Sequence, residues 1–223
     1  ETISNFNAAP ELFNMKLFLN LPALCIVLFV ISILIRGTKG AAKANNFIVV
    51  LKVSAIIFVI IAGIFFINVD NWMPFIPAAT TITENGVSHP AYGISGVVAG
   101  ASAIFFAYVG FDAVSTQAGE AINPKKDVPF AIITSLIVCT VLYILVSLVL
   151  TGMMHYTDFN PLGKYPDAIK APVAYAFDIA GQAWAGYIIT IAATIGLISV
   201  LMVMIMGQSR IFLGMSKDGL IPK

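Results

Sequence analysis

Residues 47–67, FIVVLKVSAIIFVIIAGIFFI, form an apolar run with a single charge, Lys52. A helix that crosses the hydrocarbon core of a bilayer needs about 20 mostly apolar residues, and this run has that length. The rest of the 223-residue chain has the same character, because 59% of its residues are hydrophobic, 10% are charged and its mean hydropathy is +0.95. About a quarter of a typical soluble domain is charged. The composition therefore excludes a soluble enzyme and predicts an all-α membrane protein.

Four other stretches resemble this one in length and composition, and we treat residues 1–223 as a single transmembrane unit. The predicted spans are 19–35, 47–67, 94–119, 128–152 and 183–207. Most of the twelve Lys and Arg residues lie between spans one and two, between spans three and four, or after span five. By the positive-inside rule that side is cytoplasmic, so the chain begins outside the cell membrane and ends inside. A net charge of +1 gives no basis for a nucleic-acid partner, and residues 171–181 are predicted to form a short external helix.

The third span differs from the others because its apolar part, VVAGASAIFFAYVGF (97–111), is short and rich in glycine. Short, glycine-interrupted spans are typical of discontinuous helices in secondary transporters. A break near Phe106 would free the carbonyls of Phe105, Phe106 and Ala107, which cannot stay unpaired in lipid and would suit an ammonium group. The alternative is that the glycines only allow close helix packing. The sequence leaves both interpretations open.

Lys52 is the one basic residue inside an apolar span. Its long side chain could reach back to the lipid headgroups, or it could face the protein interior and gain and lose a proton during transport. Hydroxyl residues in the spans can bond to carbonyls of their own helix; these residues are Ser54, Thr134, Ser135, Thr140, Ser147, Thr190, Thr194 and Ser199.

The chain offers no pattern for catalysis, a cofactor or a metal ion. His89 and His155 have no second ligand at zinc-site spacing, and both cysteines lie in apolar runs. We therefore expect neither an enzyme nor a bound metal or cofactor.

Three stretches resemble the amino acid–polyamine–organocation (APC) superfamily, and its cationic amino acid transporter family and bacterial relatives in particular. They are FFAYVGFDAVSTQAGEAINPKKDVPFAI (105–132), VVLKVSAII (49–57) and GQSRIFLGMSKDGLIPK (207–223). The resemblance implies a LeuT-like core of ten helices in two inverted five-helix repeats, with substrate bound at broken helices one and six. The five predicted spans resemble helices four to eight, so we expect further transporter helices to complete the binding site.

The resemblance also implies roles for residues of the third span. Phe106, Ala107 and Val109 match the unwound stretch that binds substrate, where backbone carbonyls hold the amine and the Phe106 ring closes over it. Gly110 would supply the backbone freedom that the break needs.

Coupling residues are implied in the same way. Lys52 matches a lysine of the fifth helix that stands where sodium-coupled relatives bind an ion, which favours proton coupling. Ser199 is the implied hydroxyl contact of that lysine, and Glu120 is carried over to the inner mouth.

The sequence thus predicts a proton-coupled amino acid symporter that works by alternating access in a lipid bilayer, with an amino acid and a proton as its partners. Exchange of one amino acid for another on the same fold is the alternative. A receptor with a Schiff-base lysine is more remote, because the span of Lys52 has no carboxylate counter-ion. The apolar residues around the break favour a small, neutral substrate such as alanine.

Overall fold

The computed structural model describes residues 11–12, 15–16, 21–35, 38–84, 87–90, 92–159 and 165–220. Helices dominate this part of the chain, which confirms the all-α fold class; the LeuT-like repeat remains an expectation. The α-helices are α1 (Leu21–Ile35), α2 (Thr38–Ile64), α3 (Gly93–Ile104), α4 (Pro124–Met153), α5 (Pro172–Ile179) and α6 (Ala183–Lys217). Short 3-10 helices lie in the loops between the α-helices, at Val69–Trp72, Tyr156–Phe159 and Pro166–Ile169.

Within the residues that the structure describes, four apolar helical stretches are long enough to cross a membrane. They are Ala42–Ile64, Gly93–Thr116, Pro124–Met153 and Ala183–Lys217. The predicted span 19–35 corresponds to α1, whose 15 residues cover about 22 Å, less than the ~30 Å core of a bilayer. Residues 19 and 20 lie outside the described residues, so a crossing at 19–35 stays a prediction.

Two helices extend well beyond the apolar runs from which they were predicted. α2 begins at Thr38, ahead of Phe47, and α6 continues past residue 207 to Lys217. Hydropathy marks where a helix meets lipid, whereas helicity requires only compatible residues. Polar turns such as TKGAAKANN can therefore continue a helix into the headgroup region or the water.

The motif NPKKDVP begins α4 with recognisable capping chemistry. Pro124 occupies the first helical turn, where its missing N–H group costs nothing. The backbone N–H of Asn123 donates to the carboxylate of Asp127 at 3.0 Å. A carboxylate in the first turn also interacts favourably with the positive end of the helix dipole.

Two antiparallel hairpins lie outside the helices. β1 (Glu11–Leu12) pairs with β2 (Met15–Lys16), and β3 (Thr81–Glu84) pairs with β4 (Val87–Pro90). Neither hairpin was predicted from the sequence, although the dipeptide between β3 and β4 is Asn-Gly, the strongest short hairpin signal. The predicted short helix at 171–181 is confirmed by α5.

The long helix α6 lies at the centre of the described chain. It contacts α1, α2, α5 and the 3-10 helix at Phe111–Glu120. Phe177 of α5 is buried against Val59 of α2 and Ala185 of α6, whereas many other large apolar side chains, such as Phe47 and Ile61, are exposed. Exposed apolar surface of this extent suits a lipid environment, in which such side chains need no burial against protein.

Candidate functional site

The helix of the third span is interrupted midway. α3 ends at Ile104, residues Phe105–Tyr108 form a single turn of 3-10 helix, and a second 3-10 helix runs over Phe111–Glu120. Between the two 3-10 helices, Val109 is extended at φ −59° and ψ 129°, and Gly110 has φ 111° and ψ −9°. We refer to residues 105–110 as the break.

Gly110 is required by the backbone and not by packing. Residues other than glycine rarely adopt φ near +111°. A Cβ atom added at this position would have no heavy atom within 4 Å. The demand for glycine here therefore comes from the dihedral angle alone.

Carbonyl groups of the break already accept hydrogen bonds, and that of Gly110 accepts from the N–H of Ala113 at 3.1 Å. The carbonyl of Phe106 accepts from the N–H of Val109 at 3.2 Å. That of Ala107 accepts from the hydroxyl of Tyr143 on α4 at 3.3 Å. Since a carbonyl oxygen has two lone pairs, each keeps the capacity to accept once more.

A cavity of about 350 Å³ lies beside the break, between α2, α4 and α6. We call it the central cavity. It is lined by Asn45, Val49, Lys52, Ala107, Tyr108, Val109, Gly110, Val114, Ser135, Leu136, Cys139, Tyr143, Ser199, Val200, Val203 and Met204. It thus brings together five residues that were predicted from the sequence to form the site: Ala107, Val109 and Gly110 of the break, Lys52 of α2 and Ser199 of α6.

Lys52 is half-buried and leans toward α6. A methyl group placed on Gly196 would lie 3.8 Å from Cδ of Lys52, so the aliphatic part of the lysine runs along the glycine face of α6. Lys52 also lines a second, mostly apolar cavity of about 330 Å³ between α2 and α6. No carboxylate forms an ion pair with it in the part of the chain that the structure describes.

Two further polar groups line the central cavity beside Lys52. Ser199 is 1% exposed and lies three residues after Gly196, on the same helix face. Among the described residues, its hydroxyl and the Lys52 ammonium form no hydrogen bond with each other. The amide oxygen of Asn45 is buried and has no partner in the described chain, which leaves it able to accept a hydrogen bond from a cation or a water molecule.

Other predicted site residues lie away from this cavity or outside the description. The rings of Phe105 and Phe106 are 68% and 73% exposed. They contact each other edge to face, with centroids 6.3 Å apart, and do not line the central cavity, so the gating role of Phe106 stays a prediction. Glu120 ends the second 3-10 helix, and its side chain lies outside the described residues.

Three residues of α4 beside the break were given no site role from the sequence. Tyr143, Thr140 and Cys139 line the cavity or bond to a residue that does. The available signal was that Thr140 and Tyr143 are two polar groups three residues apart in the apolar middle of the helix. Only the spatial neighbourhood gives that spacing its meaning.

Comparison with known proteins identifies the class. The profile of the amino acid permease family matches residues 1–223. The chain is 42% identical over 203 residues to the methylthioribose transporter of Bacillus subtilis (strain 168), an alignment that covers 91% of this chain and 39% of that protein. It is 38% identical to the branched-chain amino acid permease BcaP of the same organism, with the same coverage. Over 212 residues it is 38% identical to cationic amino acid transporter 9, chloroplastic, of Arabidopsis thaliana, covering 95% of this chain and 33% of that protein.

The structure and the profile together identify a multi-pass membrane protein. The chain belongs to the amino acid permease family, which confirms the resemblance to the APC superfamily. Relatives in this family are permeases and transporters rather than enzymes. The chain spans about two fifths of the length of the bacterial relatives that it matches.

Proposed function

We propose that this chain forms part of a secondary active amino acid transporter, in which the break binds the amine of the substrate and Lys52 carries the coupling proton. The main support is the central cavity, whose lining residues include Lys52 together with Ala107, Val109 and Gly110. A proton carrier and a substrate site that share one cavity can influence each other directly. Symport by alternating access follows as the simplest mechanism, in the cell membrane and with the C-terminal end of the chain in the cytoplasm.

The lining of the central cavity favours a neutral substrate. Among its described lining residues there is no Asp or Glu and one basic residue, Lys52. A cavity of this volume is about 9 Å across, and two positive charges at that distance repel by roughly 2 kcal/mol at an effective dielectric constant of about 20. A cationic side chain would therefore bind roughly twenty-fold more weakly than a neutral one of similar size.

Proton coupling is tested by replacing Lys52 in the complete transporter and measuring uptake of radiolabelled alanine into proteoliposomes under an imposed pH gradient. Lys52→Met should abolish uptake driven by the gradient, because the variant has no group at this position that can carry the proton. Lys43→Met is the matched control, since Lys43 lies on the same helix, is exposed and does not line the cavity. Gradient-driven uptake at the parent rate in Lys52→Met would contradict the coupling role.

Exchange is distinguished in the same vesicles. An exchanger would take up alanine only when the vesicles are preloaded with amino acid, and it would ignore the pH gradient. Competition by leucine, arginine and methylthioribose then identifies the substrate class, because one relative is named as a methylthioribose transporter. Methylthioribose lacks an amine, so competition by this compound alone would contradict the role of the break as an ammonium site.

A further inference from the structure

Two hydrogen bonds join the break to α4, a helix to which the sequence analysis assigned no role in binding. The hydroxyl of Tyr143 donates to the carbonyl of Ala107 at 3.3 Å. The hydroxyl of Tyr108 lies 3.0 Å from Oγ1 of Thr140. We call this pair of contacts the hydroxyl bridge.

The direction of the second hydrogen bond follows from the number of hydrogens available. Thr140 has one hydroxyl hydrogen, which it donates to the carbonyl of Leu136 at 2.7 Å. Tyr108 must therefore donate to Thr140. α4 thus donates to the break through Tyr143 and accepts from it through Thr140.

The two tyrosine rings are held together independently of their hydroxyl groups. The rings of Tyr108 and Tyr143 meet edge to face, with centroids 5.5 Å apart and an angle of 74° between their planes. Both residues line the central cavity. Replacement of Tyr143 by phenylalanine can keep this ring contact, so the role of the hydroxyl can be tested by itself.

In the proposed function, on which this inference rests, the Ala107 carbonyl is one of the oxygens that receive the substrate. We propose that Tyr143 is a positioning residue, whose hydroxyl fixes the direction of this carbonyl for the ammonium group of an amino acid. One lone pair of the oxygen accepts from Tyr143 and the other remains for the substrate. Thr140 acts in the same way through Tyr108, so α4 sets the geometry of the break where the helical hydrogen bonds are interrupted.

The test is alanine uptake by the complete transporter in proteoliposomes. Tyr143→Phe should raise KM roughly 3- to 10-fold, the effect expected from one lost hydrogen bond, with Vmax and membrane expression close to those of the parent. Thr140→Val should change KM in the same direction. Tyr187→Phe is the control, because Tyr187 is an exposed tyrosine of α6 outside the cavity, and it should leave KM unchanged.

Cys139 supplies a second readout that a purely structural role would not move. It lines the central cavity one helical turn from Tyr143. Cys25, which is exposed, and every cysteine of the complete transporter outside residues 1–223 are replaced by serine in the parent and in each variant. Saturating alanine should slow the reaction of Cys139 with a maleimide. The alanine concentration for half-protection should rise in Tyr143→Phe by the same factor as KM.

The two proposals fail in different ways. If the parent protein shows neither amino acid uptake nor protection of Cys139, the proposed function is wrong. If the parent transports alanine and Tyr143→Phe has the same KM, the positioning role of Tyr143 is wrong while the function stands. A loss of Vmax or expression with an unchanged KM would likewise assign the hydroxyl bridge to stability alone.

Discussion

Replacement of Gly110 by alanine tests whether the break is needed for binding. Gly110 has φ 111°, and a methyl group there would meet no neighbour within 4 Å. The cost of the substitution is therefore backbone strain, about 1–3 kcal/mol for a residue held in a sparsely populated region. This φ lies beyond the left-handed helical region near +57°, which places the cost in the upper part of that range.

The strain can appear in two measurable quantities. Either the protein keeps the break and loses about 1–3 kcal/mol of stability, or the segment relaxes and the carbonyls leave their positions. Because 1.4 kcal/mol corresponds to a factor of ten, the second outcome raises KM for alanine uptake roughly 10- to 100-fold. We expect Gly110→Ala to show at least one of these losses, measured by thermal unfolding of the purified transporter and by uptake.

Gly100→Ala is a matched control in the same span. Gly100 lies inside α3, and a methyl group there also meets nothing within 4 Å. In a helix interior alanine is favoured over glycine by about 1 kcal/mol, so this variant should be as stable as the parent or more so. Gly110→Val should be worse than Gly110→Ala, since a β-branched residue at positive φ is a strong outlier. Parent-like uptake and stability in Gly110→Ala would refute the requirement for a broken helix.

Two further substitutions test how α4 is held, and both are measured by thermal unfolding and alanine uptake. Gly63→Ala should destabilise the protein by about 1–3 kcal/mol, because its methyl group would overlap with Cγ1 of Val149 where α2 and α4 pack. An unchanged midpoint of thermal unfolding would show that this contact can adjust freely. Asn71→Ala should lower stability by about 0.5–1.5 kcal/mol and leave KM unchanged, because its amide donates to the carbonyl of Gly152 at 2.7 Å, away from the central cavity. A changed KM in this variant would contradict that separation.

Sequence alone predicted the features that depend on local composition. The run at 47–67 indicates a helix because lipid demands both apolar side chains and internally paired backbone. The glycines of the third span indicated a possible break because glycine tolerates dihedral angles that other residues avoid. Hydropathy could not predict that α2 begins at Thr38 or that α6 reaches Lys217, since helical geometry does not stop at the membrane surface.

The partners of the break could not be predicted, because they are distant in sequence. Thr140 was expected to bond to its own helix, and its bond to Leu136 confirms this. The same oxygen also accepts from Tyr108, a contact that depends on how α4 packs against the break. In the sequence, a hydroxyl residue that bonds only to its own helix looks the same as one that also accepts a hydrogen bond from another segment.

A broken membrane helix also needs hydrogen-bond partners when no substrate is bound. A carbonyl that faces hydrocarbon without a partner costs several kcal/mol, so in the proposed function carbonyls paired only by the substrate would be unfavourable whenever the site is empty. The hydroxyl of Tyr143 meets this requirement for Ala107, and the oxygen keeps a second lone pair. Lys52, which lines the same cavity, then need not donate to that carbonyl, and in the proposed function it remains available to the proton and the substrate. α4, a helix outside the predicted site, therefore stabilises the break by supplying a hydrogen-bond donor to its backbone.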